Sequence, residues 1–151
     1  MPAGEWREFA AFAGPELGRL TAWDHKVVLV GDSSHALSGA FGSGAGFAME
    51  DGWILAQALA LTRNDRRRAL DLFDAVRLPY YARMYAHLGA EAARRAAQLA
   101  EIERARGRAP TFDERVANKI IVDGAVDMSW IYEHDIGATW QEYVKLLHGD
   151  Q

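Results

Sequence analysis

The densest apolar stretch early in the chain is Val27-Val28-Leu29-Val30, four consecutive aliphatic residues behind Lys26 and halted by Gly31. An unbroken run of this kind predicts a short strand over residues 26–30, buried on both faces. Downstream the period changes. Phe47, Ile54, Leu55, Ala58 and Leu59 recur at helical spacing and predict a helix from Gly46 to about Thr62. Asn64 or Asp65 then caps a second, long helix, whose apolar positions Ala69, Phe73, Val76, Tyr80, Met84 and Leu88 step by three and four. Pro79 is expected to kink or interrupt it, because it removes one backbone donor and crowds the preceding turn. The alanine- and arginine-rich remainder continues to about Arg106, where Gly107 and Pro110 end it. Thr111 with Glu114 forms a capping-box signature for a third helix over residues 112–122. Ile136, Trp140, Tyr143, Val144 and Leu147 support a final one. Residues 1–23 are weakly patterned, with Gly14-Pro15 as a turn and Ala22-Trp23 as the approach to the strand. No second strand pattern stands out. The expected chain is therefore a single segment over residues 1–151, mostly α-helical with one or few strands. A strand and helix without sheet partners should leave apolar surface exposed, with Phe41, Phe47 and Trp53 as candidates.

Composition narrows the class. A chain of 151 residues, half hydrophobic and a quarter charged, suits one globular domain with a core of its own. The absence of cysteine excludes a disulfide framework, thiolate catalysis and cysteine-ligated metal sites. Glu5 and Glu8 interrupt residues 1–12, which argues against a signal peptide. The apolar run over residues 53–61 is broken by Gln57 and falls far short of the roughly 20 residues of a membrane span. A soluble, cytoplasmic protein without a membrane partner is the expectation. The net charge of −4 is unevenly spread, since residues 63–108 hold eleven arginines against six acidic residues. Those arginines are interleaved with Asp71, Asp74, Glu91, Glu101 and Glu103 and lack an accompanying aromatic stacking motif. A solvated, salt-bridged helix face is expected there rather than a nucleic-acid surface.

The candidate chemistry lies between the strand and the first helix. Asp32 stands at the carboxyl end of the strand, and Gly42-Ser43-Gly44-Ala45-Gly46 opens a helix whose free N–H groups face the same spot. A fixed carboxylate beside a helix N-terminus suits a ligand bearing both hydroxyls and electron-rich acceptors. Ser33, Ser34 and Ser43 near His35 invite a hydrolase reading, but no Gly-x-Ser-x-Gly elbow is present, and a serine beside its histidine in sequence is badly placed to use it as a base. The histidines His25, His35, His87, His134 and His148 have no metal-ligand spacing. His35 reads as a brace for the loop after the strand. No catalytic or metal-binding residue is assigned.

The segment Gly31-Asp32-Ser33-Ser34-His35, followed by Gly42 and Gly44, by Glu50-Asp51 and by Leu55-Ala56, resembles the second FAD-binding motif of the flavin-dependent aromatic hydroxylases, the salicylate-hydroxylase-like monooxygenases. Leu20-Thr21-Ala22-Trp23, Arg77-Leu78-Pro79 and the stretch from Trp130 to Asp135 extend the likeness along the chain. The loop after the histidine reads Leu37-Ser38-Gly39, where that family usually has a proline, and Gly46 stands where it often has a polar residue. The resemblance implies an α/β, Rossmann-like FAD/NAD(P)-binding parent fold, with residues 20–62 as the second FAD-binding motif and residues 63–151 as a C-terminal helical region. It implies FAD as cofactor, NAD(P)H as co-substrate and an aromatic small molecule as substrate. The cofactor-binding residues would be Gly31, Asp32, Gly42, Gly44, Ala45 and Gly46, with Asp32 accepting a ribityl hydroxyl. Backbone around Gly44, Ala45 and Gly46 would face the flavin pyrimidine edge, where a Cβ would hold the chain away. Glu50 and Asp51 read equally well as charges favouring the helix start. The Gly-x-Gly-x-x-Gly unit that holds the ADP half of FAD in that family is not in this sequence. The chain is thus expected to be the C-terminal segment of such an enzyme, incomplete alone, with a missing N-terminal chain or domain as partner. The alternative from a different class is a non-enzymatic helical interaction module working through its arginine-rich helix.

Overall fold

The computed structural model describes residues 12–37, 39–123 and 127–149. Residues 1–11 of the weakly patterned lead-in, and Ser38 of the loop after His35, lie outside the described residues. The chain divides into two units, residues 1–81 with 136–151, and residues 82–135.

In the first unit, β1 (Thr21–Ala22) and β2 (Val27–Val28) pair antiparallel, with Thr21 opposite Val28 and Ala22 opposite Val27. The expected strand over residues 26–30 is therefore shorter, and its partner is the stretch read as an approach. Val27 and Val28 are half-buried and Val30 is exposed, so the strand is not covered on both faces. The turn between the strands sets the length of the ladder. Trp23, Asp24 and His25 take three successive left-handed conformations, turning the chain back on itself after two residues of ladder. Asp74 of the long helix holds the hairpin, accepting from the Leu20 N–H at 3.0 Å and the Thr21 hydroxyl at 2.8 Å.

Past Gly31 the chain makes one helical turn, α1 (Asp32–His35), then a loop, then α2 (Gly44–Leu61). α2 begins two residues earlier than expected, so Glu50 and Asp51 stand beyond its first turn and are not helix-start charges. Its buried side chains are Phe47, Asp51, Ile54 and Ala58. Phe47 is thus interior rather than exposed, while Trp53 is 38% exposed. After left-handed Arg63 and Asn64, Asp65 caps α3 (Arg66–Arg106) through its carboxylate to the Arg68 N–H at 3.2 Å. Ala69, Phe73 and Val76 are buried as the period requires. α3 stays helical through Pro79. Pro79 and Ala75, whose carbonyl loses its partner, are both exposed, so water can take the place of the missing donor.

The second unit holds the rest of α3, then α4 (Phe112–Asp123) and the single turn α5 (Ser129–Tyr132). The capping box forms as the sequence predicts. Thr111 Oγ1 accepts from the Glu114 N–H at 3.4 Å, and Glu114 Oε2 accepts from the Thr111 N–H at 2.8 Å. Arg106 and Arg108 also pair with Glu114, Arg94 and Arg95 flank Glu91, and the Arg83 guanidinium lies 4.1 Å over the Trp130 ring. The chain ends in the first unit with α6 (Ile136–Gly149), which contacts α2 and buries Trp140. Among the described residues no helix is long and apolar enough to cross a membrane.

Candidate functional site

The turn α1 and the start of α2 face one another across a cleft of about 550 Å³, lined by Asp32, His35, Leu37, Gly42, Gly44 and Ala45 among others. Asp32 is exposed, and its Oδ1 lies 3.9 Å from the point where a Cβ on Gly44 would sit. The opposing helix end is uncapped. Ser43 makes no side-chain cap bond, its hydroxyl instead donating to the Phe41 carbonyl at 3.3 Å, and the first turn closes with Phe47 N–H on Ser43 O at 3.0 Å. The N–H groups of Gly44, Ala45 and Gly46 thus precede the first intrahelical bond, the situation that makes helix N-termini receptive to electron-rich groups. Gly42 is left-handed at φ 65°, which a side chain would resist.

Of the residues singled out from sequence, Asp32, Gly42, Gly44 and Ala45 meet at this cleft, whereas Gly31 and Gly46 do not line it. Gly31 has another task. It is buried at φ 58°, ψ −142°, with Ala48 Cβ only 3.2 Å from where its own Cβ would be, and its N–H donates to Asp51.

Behind the cleft wall lies a cluster that the sequence reading did not assemble. Asp51 and Arg77 are fully buried, with His35 and Tyr81 almost so. Asp51 Oδ2 accepts from Gly31 N–H at 2.9 Å and His35 Nε2 at 3.0 Å, so Nε2 carries the ring proton on that side. Asp51 Oδ1 accepts from Arg77 Nε at 2.8 Å and from the Tyr81 hydroxyl. Arg77 Nη2 donates to Tyr81 Oη at 2.7 Å, and Nη1 reaches Glu50 Oε2 at 2.9 Å. The rings of His35 and Tyr81 lie 4.4 Å apart. Burial alone would push the Asp51 carboxyl up. The hydrogen bonds from His35, Tyr81 and Gly31 and the Arg77 charge outweigh it and hold the group below the ordinary carboxylate value. Burial opposes the charge on Arg77 too, but Tyr81, Asp51 and Glu50 keep it above its usual value, while burial drives the Tyr81 hydroxyl up so that it remains a donor. The signal available in sequence was Arg77 itself, four residues after Phe73 and four before Tyr81, inside the apolar stripe of α3.

Over 127 residues the chain is 28% identical to a salicylate hydroxylase of Pseudomonas putida, a match covering 82% of this chain and 27% of that protein. The chain is thus similar to aromatic hydroxylases of the salicylate-hydroxylase type. Two 3-hydroxybenzoate 6-hydroxylases agree, one from Klebsiella oxytoca at 39% identity over 59 residues and one from Polaromonas naphthalenivorans at 32% over 80. These cover 39% and 52% of this chain and 15% and 19% of the respective proteins, so the chain spans less than a third of the length of each protein it matches. No family model matches the chain, and no solved structure matches it significantly.

Proposed function

We propose that the chain is the FAD-binding C-terminal segment of a flavoprotein monooxygenase that hydroxylates an aromatic substrate with NAD(P)H and O2. The observation that carries this reading is the convergence of the Asp32 carboxylate and the uncapped start of α2 on one cleft, at the motif positions that resemble the aromatic hydroxylases. The cleft fits part of a flavin. An exposed carboxylate on one wall suits a ribityl hydroxyl, and the opposite wall carries no side chain at positions 42 and 44.

In this reading Asp32 accepts a hydrogen bond from the ribityl chain, a charge-assisted contact that fixes the link between ring and pyrophosphate. The backbone N–H groups of Gly44, Ala45 and Gly46 are presented to the pyrimidine edge of the ring, where the positive end of α2 favours negative charge. Gly31 holds the turn that carries Asp32. When bound, the flavin supplies the redox chemistry that couples NAD(P)H oxidation to oxygen transfer. The aromatic substrate and the contacts to the adenine half of FAD belong, in this proposal, to a separate N-terminal chain or domain.

Titration of the chain with FAD, followed by flavin fluorescence, tests the assignment. Asp32→Ala should lower affinity by roughly one to two decades, the equivalent of about 1.5–3 kcal/mol for a hydrogen bond to a charged acceptor. Equal affinity of folded Asp32→Ala and parent would remove the site. A folded chain without flavin affinity, but with affinity for a partner that depends on the arginines of α3, would favour the interaction-module alternative.

A further inference from the structure

His35, Asp51 and Arg77 all stand at family-like positions, yet the cofactor reading gives none of them a ligand to touch. The structure draws them into one buried cluster, arranged around the turn that bears Asp32. Both ends of that turn meet a single atom. Asp51 Oδ2 receives the Gly31 N–H at 2.9 Å and His35 Nε2 at 3.0 Å, so the residue immediately before Asp32 and the last residue of α1 are tied to the same point. The other carboxylate oxygen is gripped from α3 by Arg77 Nε at 2.8 Å and by the Tyr81 hydroxyl. Arg77 also reaches Glu50 Oε2 and the Phe47 carbonyl, so its guanidinium joins α3 to the first half of α2. The Asp32 carboxylate has no hydrogen bond or ion pair to another described residue. Among the described residues, it is the turn on which it rides that sets its position.

A buried ion pair is a poor device for stability alone, because well-packed apolar side chains of the same volume serve as well or better. What a carboxylate adds is direction. Its two oxygens can hold a backbone N–H and a ring nitrogen on one side and two donors of another helix on the other. A ligand-binding acceptor must be placed to within a few tenths of an ångström to make a good hydrogen bond, and prior placement lowers the cost of binding. We propose that Asp51, locked by Arg77 and Tyr81, is a positioning residue for Asp32. It ties both ends of the Gly31–His35 turn to one oxygen and so presents the Asp32 carboxylate to the cleft. This inference rests on the reading of Asp32 as a flavin contact.

Two measurements on the full chain test it. Tyr81→Phe removes one donor to Asp51 while keeping the ring against His35, and Asp51→Asn removes the carboxylate charge while keeping its shape. Either folded variant should speed amide hydrogen exchange at Gly31 about tenfold or more, with little change across residues 54–61 of α2. FAD affinity should fall about tenfold in Tyr81→Phe, and that loss should vanish when Asp32 is already alanine, because the effect acts through Asp32. Unchanged Gly31 exchange in both variants overturns the proposal. So do additive losses of affinity in the Asp32→Ala and Tyr81→Phe cycle, which leave the cluster a merely structural role while Asp32 keeps its own. Parental affinity in Asp32→Ala alone overturns the cofactor reading and the positioning role together, an outcome separate from the first two. Tyr81→Phe decides the matter if Asp51→Asn does not fold.

Discussion

At Asp51, four donors from two other parts of the chain, the Gly31–His35 turn and α3, replace the water that a carboxylate would normally bind: Gly31 N–H, His35 Nε2, Arg77 Nε and the Tyr81 hydroxyl. Removing the carboxylate leaves Arg77 buried without its main counter-charge, so Asp51→Ala should cost about 3–5 kcal/mol of folding stability, measured by urea denaturation. The same arrangement predicts an acid limit. Despite burial, the hydrogen bonds and the Arg77 charge hold the folded carboxyl below its ordinary 3.8, so the unfolded chain binds the proton more readily. The resulting stability is complete above about 3.8 and is lost as pH falls through the lower, folded value. The parent should therefore lose stability more steeply than Asp51→Asn when denaturation is followed downward from pH 5. Gly31 offers a second residue-level test. Its backbone region is nearly confined to glycine, and Ala48 crowds the place of a Cβ, so Gly31→Ala should cost about 1–3 kcal/mol, read from the shift in denaturation midpoint.

At the scale of elements, helices follow their local signals closely and strands do not. The period of α3, the Asp65 cap and the Thr111–Glu114 box each depend on residues within four positions of one another, and each forms as read. Arg108, with the Thr111 N–H, holds the Glu114 carboxyl down to about 2, so the box keeps its charged partner across the ordinary pH range. Thr111→Ala should remove one bond of the box and cost about 1 kcal/mol, seen as faster amide exchange in the first turn of α4. The strand over residues 26–30 was legible only in part. Its run of aliphatic residues suggested burial on both faces, but how much of it pairs depends on a partner, and the partner is Thr21–Ala22 held by Asp74 more than fifty positions away.

For the whole molecule, the cofactor reading makes the chain half of a site. On the proposed reading, the adenine and pyrophosphate contacts would come from a Gly-x-Gly-x-x-Gly unit that this sequence lacks, leaving the ribityl and ring contacts to offset the cost of immobilising the ligand. The purified chain should therefore carry little or no flavin and bind added FAD weakly. Visible absorbance showing stoichiometric FAD on the chain alone would mean that its own residues supply the missing contacts, against the proposal of a C-terminal segment. The length relation to the aromatic hydroxylases, at most 27% of a relative's chain, agrees with that proposal.

The sequence alone determined what depends on neighbours along the chain: the helical periods, the caps, and the order strand, Gly-Asp turn, glycine turn and helix, with the family resemblance that rests on it. Short spacings suffice there, because the groups that satisfy one another lie within a turn or two. Tertiary structure decided which of those residues face each other. Asp51 looked like a helix-start charge and Arg77 like one arginine in a solvated face. Their roles appeared only when folding brought the guanidinium of Arg77, 26 positions away on α3, onto a carboxylate already holding both ends of the Asp32 turn. A buried charge persists only where several donors converge from separate elements, and that convergence is a property of the packed chain.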